Sequence, residues 1–145
     1  MIYFDSAYIV KCYLQETGSK EVRDLAEAGE AVASCELARV EFSAAVHRHT
    51  REKDITDKQA GVIFQRFRRD IREGYWTFYP LTSQLLEECG KAFENLPRHL
   101  FLRTADALHI LCALNQGFKV LYTDDAHLRA AAPSFGLKAI NVIRN

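Results

Sequence analysis

Residues 103–125, RTADALHILCALNQGFKVLYTDD, hold a helix, a strand and three acids in one short span. The run over 104–116 is mostly apolar and stops at Gly117, so it reads as a helix buried on most sides. Residues 119–122 then read as a strand, with Asp124 and Asp125 at its end. Asp106 falls in the first turn of the helix, where the helix dipole favours an acid. A buried helix that feeds a short apolar strand is the repeating unit of an α/β domain with a mainly parallel sheet.

The remaining chain repeats that alternation. Residues 1–5 (MIYFD) read as a strand ending in an acid, followed by a helix over 6–14 with Ser6 as its cap. Thr17 or Ser19 can cap a second helix over 18–28, stopped by Gly29. Residues 31–34 (AVAS) read as a strand, and 36–53 as a helix with Leu37, Val40, Ala44 and Ala45 on its inward face. A helix from Thr56 or Asp57 to 72 ends at Gly74, and the strand 76–79 is closed by Pro80. A helix from Thr82 or Ser83 to 95, a short helix over 124–132 ended by Pro133, and a strand over 138–142 complete the pattern. In such folds ligands bind beyond the carboxyl ends of the strands, so acids at those ends draw attention.

A chain of 145 residues predicts one domain spanning 1–145. An apolar fraction of 48% excludes intrinsic disorder. Basic and acidic residues number 19 each, which excludes a globally basic nucleic-acid binder but not a local patch. The charge is uneven: residues 47–73 hold 8 basic and 5 acidic side chains and form the one sizeable basic segment. Cys12, Cys35, Cys89 and Cys112 form no CxxC pair, and they read as reduced, mostly buried thiols of a cytosolic protein. No apolar run is long enough to cross a bilayer, and the N-terminus lacks the basic region of a signal peptide. The expected location is cytoplasmic.

Several acids stand where apolar residues belong. Asp5 can serve as a helix cap, although Ser6 beside it can do the same. Glu41 lies four residues after Leu37 and three before Ala44, which places a carboxylate on the inward face. A buried carboxylate is costly unless it is paired with a cation or bound to a metal. Asp124 and Asp125 exceed what one turn or cap requires. If these acids converge, two carboxylates ~4 Å apart repel by about 4 kcal/mol at an effective dielectric near 20. An all-oxygen, anionic cage suits a hard divalent ion, Mg²⁺ or Mn²⁺, and the usual partner of such a site is a phosphate.

At these residues the chain resembles the PIN-domain family, and within it the VapC toxins of toxin–antitoxin pairs. The matching segments are IYFDSAYIVKCYL, SCELARVEFSAAV, RTADALHILCAL and YTDDAHLRAAAPSFGLKAI. RTADALHI followed by Thr-x-Asp is the most specific of them. The resemblance implies a three-layer PIN fold, with a mainly parallel sheet in the order 3-2-1-4-5 flanked by helices. It also implies a metal-dependent endoribonuclease. The family's acids fall on Asp5, Glu41 and Asp106, and the fourth falls within Thr123-Asp124-Asp125. The Thr-x-Asp spacing points to Asp125, with Asp124 in the variable place. Ser6 and Thr104 match hydroxyl positions beside the first and third acids, where with Thr123 they would hold water or substrate. A homodimer and a cognate VapB-type antitoxin are also implied.

On that reading Arg66, Arg68, Arg69 and Arg72, with Lys58 and Arg51, are candidate contacts for the RNA backbone. The competing reading is a solvated helix face paired with Asp70 and Glu73. Phe64, Phe67, Tyr75 and Trp76 are expected in the core or an interface, and His109 is expected as a packed core histidine. One alternative is a receiver-like phosphoacceptor module with an acidic Mg²⁺ pocket. Against it, the paired acids come late and the strand 76–79 ends without Asp. A catalytically silent PIN scaffold is the other.

Overall fold

The computed structural model describes residues 1–29 and 31–144. Five strands, β1 (Ile2–Phe4), β2 (Val32–Cys35), β3 (Trp76–Tyr79), β4 (Val120–Tyr122) and β5 (Lys138–Ile140), form one sheet in the order β3-β2-β1-β4-β5. Every neighbouring pair is parallel, and Tyr3 sits in register with Ala33 on one side and Leu121 on the other. The helices are α1 (Ser6–Tyr13), α2 (Ser19–Ala28), α3 (Leu37–Arg51), α4 (Asp57–Arg72), α5 (Ser83–Asn95), α6 (Thr104–Asn115) and α7 (Ala126–Ala131). A 3₁₀ turn over Ala132–Phe135 carries Pro133 in its first turn.

Strand alternation builds the three layers. Tyr3, Ala33, Cys35 and Leu121 point to one side and pack with Leu85 and Cys89 of α5, Ala107, Leu108 and Ile110 of α6, and Leu128 of α7. Phe4, Val32 and Trp76 point to the other and pack with Tyr8 and Ile9 of α1, Val22 of α2, Phe42 and Val46 of α3, and Phe67 of α4. The chain runs β1, β2, β3 in one direction, then returns to place β4 on the free side of β1. Helices that follow β1 and β2 therefore cover one face, and those that follow β3 and β4 cover the other. Their divergence opens a crevice at the carboxyl ends of β1 and β4.

Several local expectations change. Asp5, not Ser6, caps α1, with its Oδ1 accepting from the Tyr8 N–H at 2.9 Å. Neither Thr17 nor Ser19 caps α2; its N-cap is Gly18 at φ 81°, where any Cβ would collide with Ile143. Ser19 instead ties the approach down, donating to the Leu14 carbonyl and accepting from the Glu16 N–H. The inward face of α3 is Ala38, Phe42 and Val46, while Val40 and Ala44 are exposed and Leu37 and Ala45 half-buried. Phe42 decides this rotation: its ring stacks on Phe67 at 3.9 Å and meets Tyr13 edge-on at 5.2 Å. Asp124 lies outside α7, which begins after Asp125, and β5 ends at Ile140. All four cysteines are free and buried. Among the described residues, no helix is long and apolar enough to cross a membrane.

Candidate active site

The crevice is a cavity of about 860 Å³ whose wall includes Asp5, Glu41, Asp106, Asp124 and Asp125. Asp5 arrives at the end of β1 and Asp124–Asp125 at the end of β4, because those strands are neighbours. Asp106 comes from the first turn of α6 and Glu41 from α3. Acids separated by up to 120 positions thus meet because the sheet reverses its winding direction between β1 and β4.

Cationic side chains of the same chain hold most of these acids. Arg103 donates from Nε to Asp106 Oδ2 at 2.7 Å and from Nη2 to Asp106 Oδ1 at 3.4 Å. The same Nη2 reaches Asp125 Oδ2 at 2.6 Å, so one guanidinium spans two carboxylates. Lys11, only 7% exposed, lies 3.2 Å from Asp124 Oδ2 and 3.1 Å from Glu16 Oε2. His109 Nε2 is 2.8 Å from Glu41 Oε2, and its Nδ1 faces the Tyr3 hydroxyl at 3.3 Å. Asp5 has no salt bridge among the described residues.

The electrostatics follow from these contacts. Burial pushes the Asp5 carboxyl up to about 6, against hydrogen bonds from Thr123 and the Tyr8 N–H that favour the anion. Burial alone would lower the His109 imidazolium, but the hydrogen bond and charge of Glu41 outweigh it, and its pKa is raised. Burial works against the Glu41 anion in turn, yet His109 and Ser6 hold its pKa below the usual value. Lys11 is likewise raised, because Asp124 and Glu16 outweigh its desolvation. Tyr3 and Glu41 thus face the two ring nitrogens of buried His109, whose charge also favours the Asp5 anion.

Ser6 lines the cavity beside Asp5, and buried Thr123 accepts the Asp125 N–H at 2.9 Å. Thr104 is exposed and does not line the cavity. Asp125 doubles as the cap of α7, accepting from the Leu128 N–H at 2.8 Å. Arg66, Arg68, Arg69 and Arg72 do not line the cavity either. Arg66 and Arg69 flank buried Asp70 at 3.7 and 3.2 Å, and Arg66 also lies over the Tyr13 ring. Phe67 and Trp76 are buried, Phe64 is half-buried and Tyr75 is exposed. His109 is buried as expected, but it also forms part of the acid cavity.

Sequence reasoning passed over Arg103, Lys11 and Arg48, all near or on the cavity wall. Arg103 carried a usable signal, since it stands three residues before Asp106, within one helical turn. Lys11 carried none that pointed to the cavity, because Asp124 lies 113 positions along the chain.

The donor set is chemically suited to a hard divalent ion: carboxylate oxygens, one of them desolvated and without a salt bridge among the described residues. Among the described residues, no three His, Cys, Asp or Glu side chains are close enough to share one ion. The site therefore has the ligand chemistry without a preassembled cage, and of the residues that would hold an ion all but Asp5 are paired with Arg103, Lys11 or His109.

Comparison with known proteins agrees with this geometry. The PIN domain family matches residues 2–133. Ribonuclease VapC45 and Ribonuclease VapC49 of Mycobacterium tuberculosis are each 31% identical to the chain over 119 residues, covering 81% of this chain and 77% of the relative. In three dimensions the chain is similar to M. tuberculosis VapC20, a sarcin–ricin loop cleaving toxin, with TM-score 0.71, 14% identity, and coverage of 90% and 95% of the two chains. It is also similar to FitAcB of Neisseria gonorrhoeae, with TM-score 0.70, 13% identity and 97% coverage of both. A third similar structure is VapBC2 of Rickettsia felis bound to a promoter DNA fragment, with TM-score 0.62, 16% identity, and coverage of 97% and 98%. With the family matched along most of its length and the VapC relatives matched over most of theirs, the chain belongs to the PIN-domain family, on its VapC branch.

Proposed function

We propose that this protein is a divalent-metal-dependent endoribonuclease acting as the toxin of a toxin–antitoxin pair. The supporting observation is the meeting of Asp5, Glu41, Asp106, Asp124 and Asp125 in one cavity at the point where the sheet reverses direction. The relatives named as VapC ribonucleases supply the reaction class. Asp5, Asp106 and Asp125 would hold Mg²⁺ or Mn²⁺, with Glu41 and Asp124 completing the set. Bound there, the ion would supply a Lewis acid for a phosphoryl oxygen. Glu41, oriented by His109 and Ser6, positions the attacking water. Arg48 and Arg103 on the cavity wall attract the phosphate backbone, while exposed Arg68 and Arg72 of α4 extend the contact away from it, Arg66 and Arg69 being engaged with Asp70. A single-stranded loop is the expected target, because its bases can splay away from the cleaved bond.

A VapB-type antitoxin, a homodimeric assembly and a cytoplasmic location complete the proposal. The groove lined by Tyr13, Leu14, Ile55, Val62 and Ile63, about 380 Å³, suits the apolar face of an antitoxin helix.

The test is RNA cleavage in Mn²⁺ and in EDTA by wild type, Asp5→Asn and Asp106→Asn. We expect at least a hundredfold loss in both variants and in EDTA, with folding retained by circular dichroism. Undiminished cleavage by Asp106→Asn contradicts the assignment. A folded wild type that cleaves no RNA at any enzyme level would identify a silent scaffold.

A further inference from the structure

We propose that Arg103 is a built-in competitor of the divalent ion, so that metal loading of this chain exchanges one cation for another. The inference rests on the metal-dependent reading of the cavity. Among the described residues, three basic side chains are paired with its acids, but only Arg103 is placed to leave. Lys11 has a side chain 9% exposed and is held by Glu16 as well as Asp124. His109 is enclosed between Tyr3 and Glu41 with 1% of its side chain exposed. Arg103 has 56% of its side chain exposed and makes no side-chain cap to α6. Its long arm can withdraw into solvent without disturbing the core.

What Arg103 holds is as important as its freedom. Asp106 lies in the first turn of α6 and Asp125 caps α7, so these two acids share a cationic partner but no secondary-structure element. The guanidinium joins them as an ion would, yet with only one positive charge. Two carboxylates against a single charge leave one negative charge uncompensated, and Asp5, without a salt bridge among the described residues, adds to it. A divalent ion compensates the cluster better and accepts the same oxygens, so the two cannot occupy them together. Exposure to solvent screens the Arg103 pairs, which keeps the competition modest and reversible. Arg103 is thus a positioning residue: it keeps two distant acids aligned for the incoming ion and raises the concentration of ion needed to displace it.

Equilibrium Mn²⁺ binding to the full chain, read by the electron paramagnetic resonance of free Mn²⁺ in phosphate-free buffer, tests this without measuring activity. Wild type, Arg103→Gln, Arg103→Lys and Asp5→Asn are compared. Arg103→Gln is expected to bind Mn²⁺ about tenfold tighter and to have a lower Tm in EDTA that Mn²⁺ restores. Arg103→Lys, a point charge that cannot fork across both acids, is expected between wild type and Arg103→Gln. Equal or weaker binding by Arg103→Gln, with binding lost in Asp5→Asn, overturns the competition and leaves the metal reading intact. If Arg103→Gln does not fold, equal or weaker binding by Arg103→Lys overturns it in the same way. No Mn²⁺ binding by wild type or by either Arg103 variant overturns both the competition and the reading beneath it.

Discussion

Asp5 carries two duties on one carboxylate. Its Oδ1 caps α1, and burial raises its pKa from the usual 3.8 to about 6. Between these two values the folded chain holds a proton that the unfolded chain has released. Stability therefore falls as pH rises through that window, and the cost is complete above about 6. A shift of that size corresponds to roughly 3 kcal/mol. Asn caps a helix as well as Asp does, so Asp5→Asn keeps the Tyr8 bond and loses the charge. In EDTA at pH 7, we expect Asp5→Asn to be about 1–3 kcal/mol more stable than wild type by urea unfolding. The advantage should shrink toward pH 4. A less stable Asp5→Asn at pH 7 would show that the hydrogen bonds favouring the carboxylate, from Thr123 and the Tyr8 N–H, outweigh the cost of burying its charge. The His109–Glu41 pair is present in both proteins, but its imidazole also feels the Asp5 charge, so Asp5→Asn removes part of what raises the His109 pKa. Its own contribution is present below the ordinary histidine pKa and is lost as pH rises through the raised one.

Helix ends and faces are where the elements departed from their sequence patterns. Gly18 caps α2 with no side chain, in the left-handed region and against Ile143. Gly18→Ala should cost about 1–2 kcal/mol through strain at positive φ, measured by thermal unfolding. A neutral result would mean that the loop before α2 shifts freely. The basic residues of α3 and α4 separate by position. Arg48 lines the acid cavity, whereas Arg66 and Arg69 are engaged with Asp70. Arg48→Gln is predicted to weaken RNA binding severalfold at low salt and to reduce its salt dependence by about one phosphate contact. Arg66→Gln should instead lower stability, since Asp70 is buried and also accepts from the Tyr13 hydroxyl at 2.7 Å. Filter-binding titrations over a range of salt concentrations check the first. A salt slope unchanged in Arg48→Gln but shallower in Arg66→Gln would reverse the assignment.

Across the whole molecule, the acid cavity is a local concentration of negative charge on a chain of zero formal charge. An ion that binds only the folded state stabilises it by mass action. Millimolar Mn²⁺ should therefore raise the Tm of wild type by several degrees over EDTA, and should not raise that of Asp106→Asn. Equal shifts in the two would place the ion elsewhere. The alternation of short apolar strands with helices made the α/β plan legible, because buried parallel strands and capped helices are local patterns. Asp5, Asp106 and Asp125 were legible for the same reason: each stands where a strand ends or a helix begins. Glu41 drew notice as an inward carboxylate and is half-buried against His109, although Ala38, Phe42 and Val46, rather than Val40 and Ala44, form the buried face of α3. The pairing of His109 with Glu41, of Lys11 with Asp124, and of Arg103 with Asp125 across 22 residues was settled only in three dimensions. Spacing along a chain specifies which groups share a helix or strand. Which charges neutralise one another depends on the crossing of separate elements, and that is decided when the two cores close on the sheet.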